Sequence, residues 1–100
     1  MELCFIKADN HYVAEFKVED DFNLHIETDG QSVVKLHQSS VEGTKYNKAH
    51  SLNSLYSETV IDVAVLVPVP PMWIKVTSAT QPIAAFITSK GEVTDLNSEV

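Results

Sequence analysis

Phe22-Asn23-Leu24-His25-Ile26-Glu27 alternates apolar and polar residues without a break. Successive side chains of a strand point to opposite faces, so this stretch makes a strand with one dry and one wet side. Past Asp29-Gly30, Val33 to Gln38 nearly repeats the pattern. The two runs read as an antiparallel hairpin, and parity sets its register. A two-residue Asp29-Gly30 loop pairs Leu24 with Lys35 and mixes the faces. A three-residue loop, Thr28-Asp29-Gly30, places Gly30 at the left-handed position such loops need. It pairs Leu24 with Val34 and Phe22 with Leu36, so the apolar faces agree. A one-residue slip would turn the set inside out. On the outer face this register sets His25 opposite Val33, Asn23 opposite Lys35 and Asp21 opposite His37.

Similar segments flank this pair. Leu3 to Lys7 reads as a strand, and Ala8-Asp9-Asn10 as a turn. Tyr12 to Val18 follows, with Tyr12, Ala14, Phe16 and Val18 on one face and Val13, Glu15 and Lys17 on the other. Glu19-Asp20-Asp21 is an acidic turn. Ser39 to Gly43 is another turn, and Lys45-Tyr46 opens a short strand. Residues 47 to 57 are rich in Ser and Asn, with Leu52, Leu55 and Tyr56 spaced like one helical turn, so a loop with a turn of helix is expected. Thr59 to Val67 is the strongest strand, with Ile61, Val63, Val65 and Val67 on one face. Its other face, Val60, Asp62, Ala64 and Leu66, is also mostly apolar, which predicts cover on both sides. Pro68-Val69-Pro70-Pro71 lacks the donors a central ladder needs and should be extended. Met72 to Thr77 and Ile83 to Thr88 are the last strands, and Ser89-Lys90-Gly91-Glu92 is a turn. The fold expected is all-β: a single small antiparallel β-sandwich or jelly-roll-like domain of six to eight strands. It spans residues 1–93, with a polar, frayed tail over 94–100.

The chain has 100 residues, about one domain, and buries one modest core. Its net charge is −7, and all seven cations are Lys, with no Arg. Phosphate and guanine recognition lean on the Arg fork. Nucleic acid and anionic membrane are therefore not expected partners. No apolar run reaches the roughly 18 residues that span a bilayer. The first seven residues lack the basic start and apolar core of a signal peptide, so synthesis in a cytoplasm is expected. The single cysteine, Cys4, sits in an apolar stretch and reads as a small buried hydrophobe.

Residues that could carry chemistry do not form motifs. His11, His25, His37 and His50 show no metal-ligand spacing. His25 and His37 share an outer face in the hairpin register but lie too far apart for one ion. Asp21 beside His37 reads as a wet surface pair. Glu19-Asp20-Asp21 with Glu27 and Asp29 offers oxygens for calcium, without the EF-hand pattern. Serines are plentiful, but no Gly-x-Ser-x-Gly elbow or phosphate-cradling loop occurs. The reading is a protein that is not an enzyme, with neither metal nor cofactor.

Apolar residues on outer faces are the better clue. If Ile74 and Val76 fill the core, Trp73 faces outward beside Lys75, unless the proline segment folds over it. The expected interface comprises Trp73, Leu66, Val33, Val13 and Lys75. The alternative is a carbohydrate- or ligand-binding module that stacks a sugar on Trp73 or Tyr56.

Trp73-Ile74-Lys75-Val76-Thr77-Ser78-Ala79-Thr80-Gln81-Pro82-Ile83-Ala84-Ala85-Phe86-Ile87 resembles the last strand pair of small β-sandwich proteins of tailed-phage virions. There a Trp- or Tyr-led strand precedes a proline-containing turn and an Ala-rich strand. Phe22 to Glu27, Val33 to Gln38 and Gly43-Thr44-Lys45-Tyr46 fit the earlier part of that pattern. The resemblance covers residues 11 to 88 and transfers no functional residue. It implies a homo-oligomer, such as a trimer or other ring, acting as a head-decoration, auxiliary capsid or fibre component beside a major capsid or other virion protein.

Overall fold

A computed structural model describes residues 1–39, 51–67 and 70–96, with 51–54 defined by backbone alone. It contains nine strands and no helix among the described residues. In chain order these are β1 (Ile6–Ala8), β2 (His11–Val18), β3 (Phe22–Glu27), β4 (Val34–Ser39), β5 (Ser51–Tyr56), β6 (Val60–Val65), β7 (Met72–Ser78), β8 (Ala84–Ser89) and β9 (Val93–Asp95). They form two antiparallel sheets. The larger runs β1-β2-β7-β4-β5, with β9 also on β2; the smaller runs β6-β3-β8.

Alternation builds the core, as expected. The inward sides of β2, β3, β4 and β7 contribute Phe16, Val18, Leu24, Ile26, Val34, Ile74 and Val76, all fully buried. Ile61 and Ile87 add to them from β6 and β8. The Phe16 and Phe22 rings meet edge-on, with centroids 5.6 Å apart. Each such side chain contributes about 1.5–3 kcal/mol through burial.

The β3–β4 hairpin is corrected. β3 pairs with β6 and β8, whereas β4 pairs with β5 and β7. Residues 28–33 therefore arch from one sheet to the other. Gly30 still takes the left-handed conformation, at φ +77°, and the Thr28 hydroxyl donates to its carbonyl at 2.9 Å. Both arrangements turn Leu24 and Val34 into the core. His25 and His37 consequently lie in different sheets, and Asp21, just before β3, is not the cross-strand neighbour of His37.

Three further expectations change. Ser51–Tyr56 is a strand on the edge of the larger sheet, held by β4, and not a loop with a helical turn. Thr94 and Asp95, assigned to the tail, belong to β9, and the Leu96 N–H donates to the Glu15 carbonyl at 3.0 Å. Cys4 is exposed, not buried. Its neighbours Leu3 and Phe5 pack on the core, so alternation turns Cys4 outward. The expected strand at Lys45-Tyr46 lies outside the described residues.

Residues 1–8 tie the two sheets together. Leu3 N–H donates to the Ala85 carbonyl, and Ile87 N–H to the Met1 carbonyl, both at 2.9 Å. Glu2 is thereby bridged to Phe86 on the edge of β8. Four residues later the same chain pairs with β2 as β1. One side of the sandwich is laced shut, while β5 and β6 form the edges of the other.

Candidate functional site

Four of the five expected interface residues share one face, and Leu66 stands apart. Val13, Trp73 and Lys75 lie on the outer face of the larger sheet, and Val33 precedes β4 on that side. Leu66 lies beyond β6, on the other layer. Trp73 stands beside Lys17, whose Nζ is 5.6 Å from the ring centroid. The next cross-strand row is Glu15, Lys75 and His37, and Lys35 sits opposite Thr77. Trp73 is only partly exposed, in a mixed-charge field. Tyr56 is partly buried and packs against the core from β5.

The smaller sheet presents a different surface. Its central strand shows Asn23, His25 and Glu27 to the outside, flanked on β8 by Ala84, Phe86 and Thr88 and on β6 by Val60, Asp62 and Ala64. The His25 ring stacks on Phe86, with centroids 4.7 Å apart and planes 20° from parallel. Its Nε2–H donates to Glu27 Oε2 at 3.0 Å, and Nδ1 lies 3.5 Å from Asp62 Oδ2. Glu27, chiefly through that hydrogen bond, raises the imidazole pKa above 6.5; partial burial opposes the rise and Asp62 adds to it. The Asn23 amide donates to Asp62 Oδ1 and is the main cause of a lowered carboxyl pKa there, with His25 assisting. Both ring nitrogens are thus engaged by carboxylates.

No signal in the local sequence announced this cluster, because Asp62 and Phe86 reach His25 only through the pairing of distant strands. The acidic residues Glu19 to Asp21 and Glu27 to Asp29 sit at opposite ends of β3, about 20 Å apart at 3.4 Å per residue. They cannot share one calcium ion. No group of three or more His, Cys, Asp or Glu side chains is placed to hold a metal among the described residues. His50 lies outside those residues.

The outer side of β6 and its continuation to Leu66 present exposed apolar residues. Leu66 is 71% exposed and Val60 53%, with Ala64 exposed between them. Phe86 adds 40% across the sheet. Sequence alternation assigned these residues to one face, but the cover expected over that face is not supplied by any described residue. A shallow cleft of about 540 Å³ opens beside Leu66, between Ala64, Phe22, Ser89 and Lys90.

Comparison with known proteins adds no relative: no family model, curated protein or solved structure matches this chain.

Proposed function

We propose that this chain is a non-enzymatic structural protein that assembles with copies of itself through the apolar side of its smaller sheet. The carrying observation is the β6 edge, where Val60, Ala64 and, just past the strand, Leu66 are apolar and exposed, with Asp62 as the one outward charge. Natural edge strands are usually guarded by lysine, proline or a bulge, because an open edge templates pairing. Within β6 the only charge is Asp62. Burying such a surface yields about 25 cal/mol per Å², less the entropy of association. The outer face of the larger sheet, with its interleaved Lys and Glu, supports association less well. Trp73 therefore gives way to Leu66 and Val60 as the anchors.

A virion component is the setting favoured by the pattern of Trp73 to Ile87, a head-decoration, auxiliary capsid or fibre subunit. Those residues form β7 and β8, consecutive strands on opposite layers. Light scattering tests the reading. The chain should exceed its monomer mass at high micromolar concentration. Leu66→Glu should lower the associated fraction, and Trp73→Ala should leave it unchanged. A monomer throughout that range would end the proposal.

A further inference from the structure

The apolar edge carries enough information to specify its partner. Thr28 N–H donates to the Thr59 carbonyl, so Thr28 and Thr59 form a hydrogen-bonded pair. Antiparallel pairs alternate between bonded and non-bonded. Ile61, Val63 and Val65 therefore aim their backbone groups at β3. Val60, Asp62, Ala64 and Leu66 aim theirs away from it, toward an edge that no described strand occupies.

We infer that this edge pairs antiparallel with β6 of a second copy, in the register that sets Val63 on the two-fold axis. The inference rests on the self-association proposed above and names its geometry. Outward-aimed backbone groups must face each other, so even-numbered residues pair with even-numbered ones. Three registers then overlap the strands by five residues or more. Centring on Asp62 sets the two Asp62 carboxylates directly opposite, which is repulsive. Centring on Ala64 sets Asp62 against Leu66 and leaves Val60 beyond the overlap, still exposed. Centring on Val63 sets Asp62 against Ala64 and Val60 against Leu66, each twice by symmetry. It separates the charges and covers the two most exposed apolar residues of this edge, Leu66 and Val60, with each other. Such a pairing uses the same patch on both copies and closes as a dimer, not a ring. An edge of this length buries less than a standard interface of about 1,600 Å², so a micromolar dissociation constant is expected.

Cysteine cross-linking reads the register directly. In a Cys4→Ser background, the double variant Val60→Cys/Leu66→Cys should form a covalent dimer on mild oxidation. Opposed residues of a bonded pair lie about 5.5 Å apart between Cα atoms, within disulfide reach. Within one chain the two positions are about 20 Å apart and cannot bridge. Each single variant should stay uncross-linked. Ala64→Lys, which meets the partner's Asp62 twice, should tighten the dimer, whereas Ala64→Asp should weaken it by about tenfold. All four positions are surface residues, so these variants fold. A dimer by light scattering, a cross-link only in the double variant and opposite effects at Ala64 support the pairing. A trimer or larger ring without the cross-link, or equal cross-linking in the single variants, overturns the register and leaves self-association standing. A monomer at high micromolar concentration overturns both and assigns the edge to a strand from elsewhere.

Discussion

Gln38 is the side chain least suited to its place. It points inward from β4, is 7% exposed, and its Nε2 has no hydrogen-bond partner among the described residues. An unmet buried donor costs about 1–3 kcal/mol. Gln38→Met keeps the volume and removes the donor, so the urea midpoint should rise by the equivalent of about 1 kcal/mol. His25 is the opposite case, a polar ring with every partner supplied. Because its folded pKa lies above 6.5, its charged form stabilises the fold fully below that value. The contribution is lost as pH rises from 6.5 through the folded value. An NMR titration should place the His25 midpoint above 6.5, and Glu27→Gln should lower it; an unshifted midpoint would refute the pairing. Asp62 works on the acid side: its depressed pKa gives stability that is present above the usual carboxylate value and lost as pH falls through the folded one. Gly30's left-handed turn was legible in Thr28-Asp29-Gly30, since so few residues accept that conformation. The partners of His25 were not, because a sequence does not state which strands are neighbours.

Among the elements, two turns lock one end of the sandwich. Ser89 Oγ donates to the Asp21 carbonyl at 2.9 Å, and Glu19 N–H to the Glu92 carbonyl at 3.2 Å. Gly91 lets them approach: a Cβ there would sit 2.8 Å from Asp20 Cβ and 3.2 Å from its backbone N. Gly91→Ala must push the turns apart, and a thermal melt should show a loss of about 1–3 kcal/mol. An unchanged melting temperature would mean that the turns yield freely. Element existence was readable where alternation was clean, as in β2, β3, β6 and β7. The β3–β4 connection misled because parity reports faces and is silent on partners. β5 was obscured by Ser51, Asn53 and Ser54, which carry weak strand propensity; pairing with β4 makes it a strand.

At the scale of the molecule, residues 1–8 close one flank and leave the β5–β6 flank as the edge pair on the other. That asymmetry could not be seen in Leu3 to Lys7, which reads as a single strand; the structure shares residues 1–8 between two layers. Phe5 packs on the core at the crossing. Phe5→Ala should cost about 2–3 kcal/mol and loosen the bridge to β8. Hydrogen exchange should then quicken at the Ile87 amide, which donates to Met1. Full protection there would show that the crossing stands without Phe5.

Six of the eight connections between consecutive strands pass from one sheet to the other. This has a kinetic consequence. β3 is made early, yet both its neighbours, β6 and β8, belong to the second half of the chain. β2 likewise waits for β7. On the ribosome no early portion can complete a sheet, so the polypeptide must emerge almost whole before any of it settles. Such non-local wiring places folding in the millisecond-to-second range and gives nascent chains an interval in which their greasy strands stand bare.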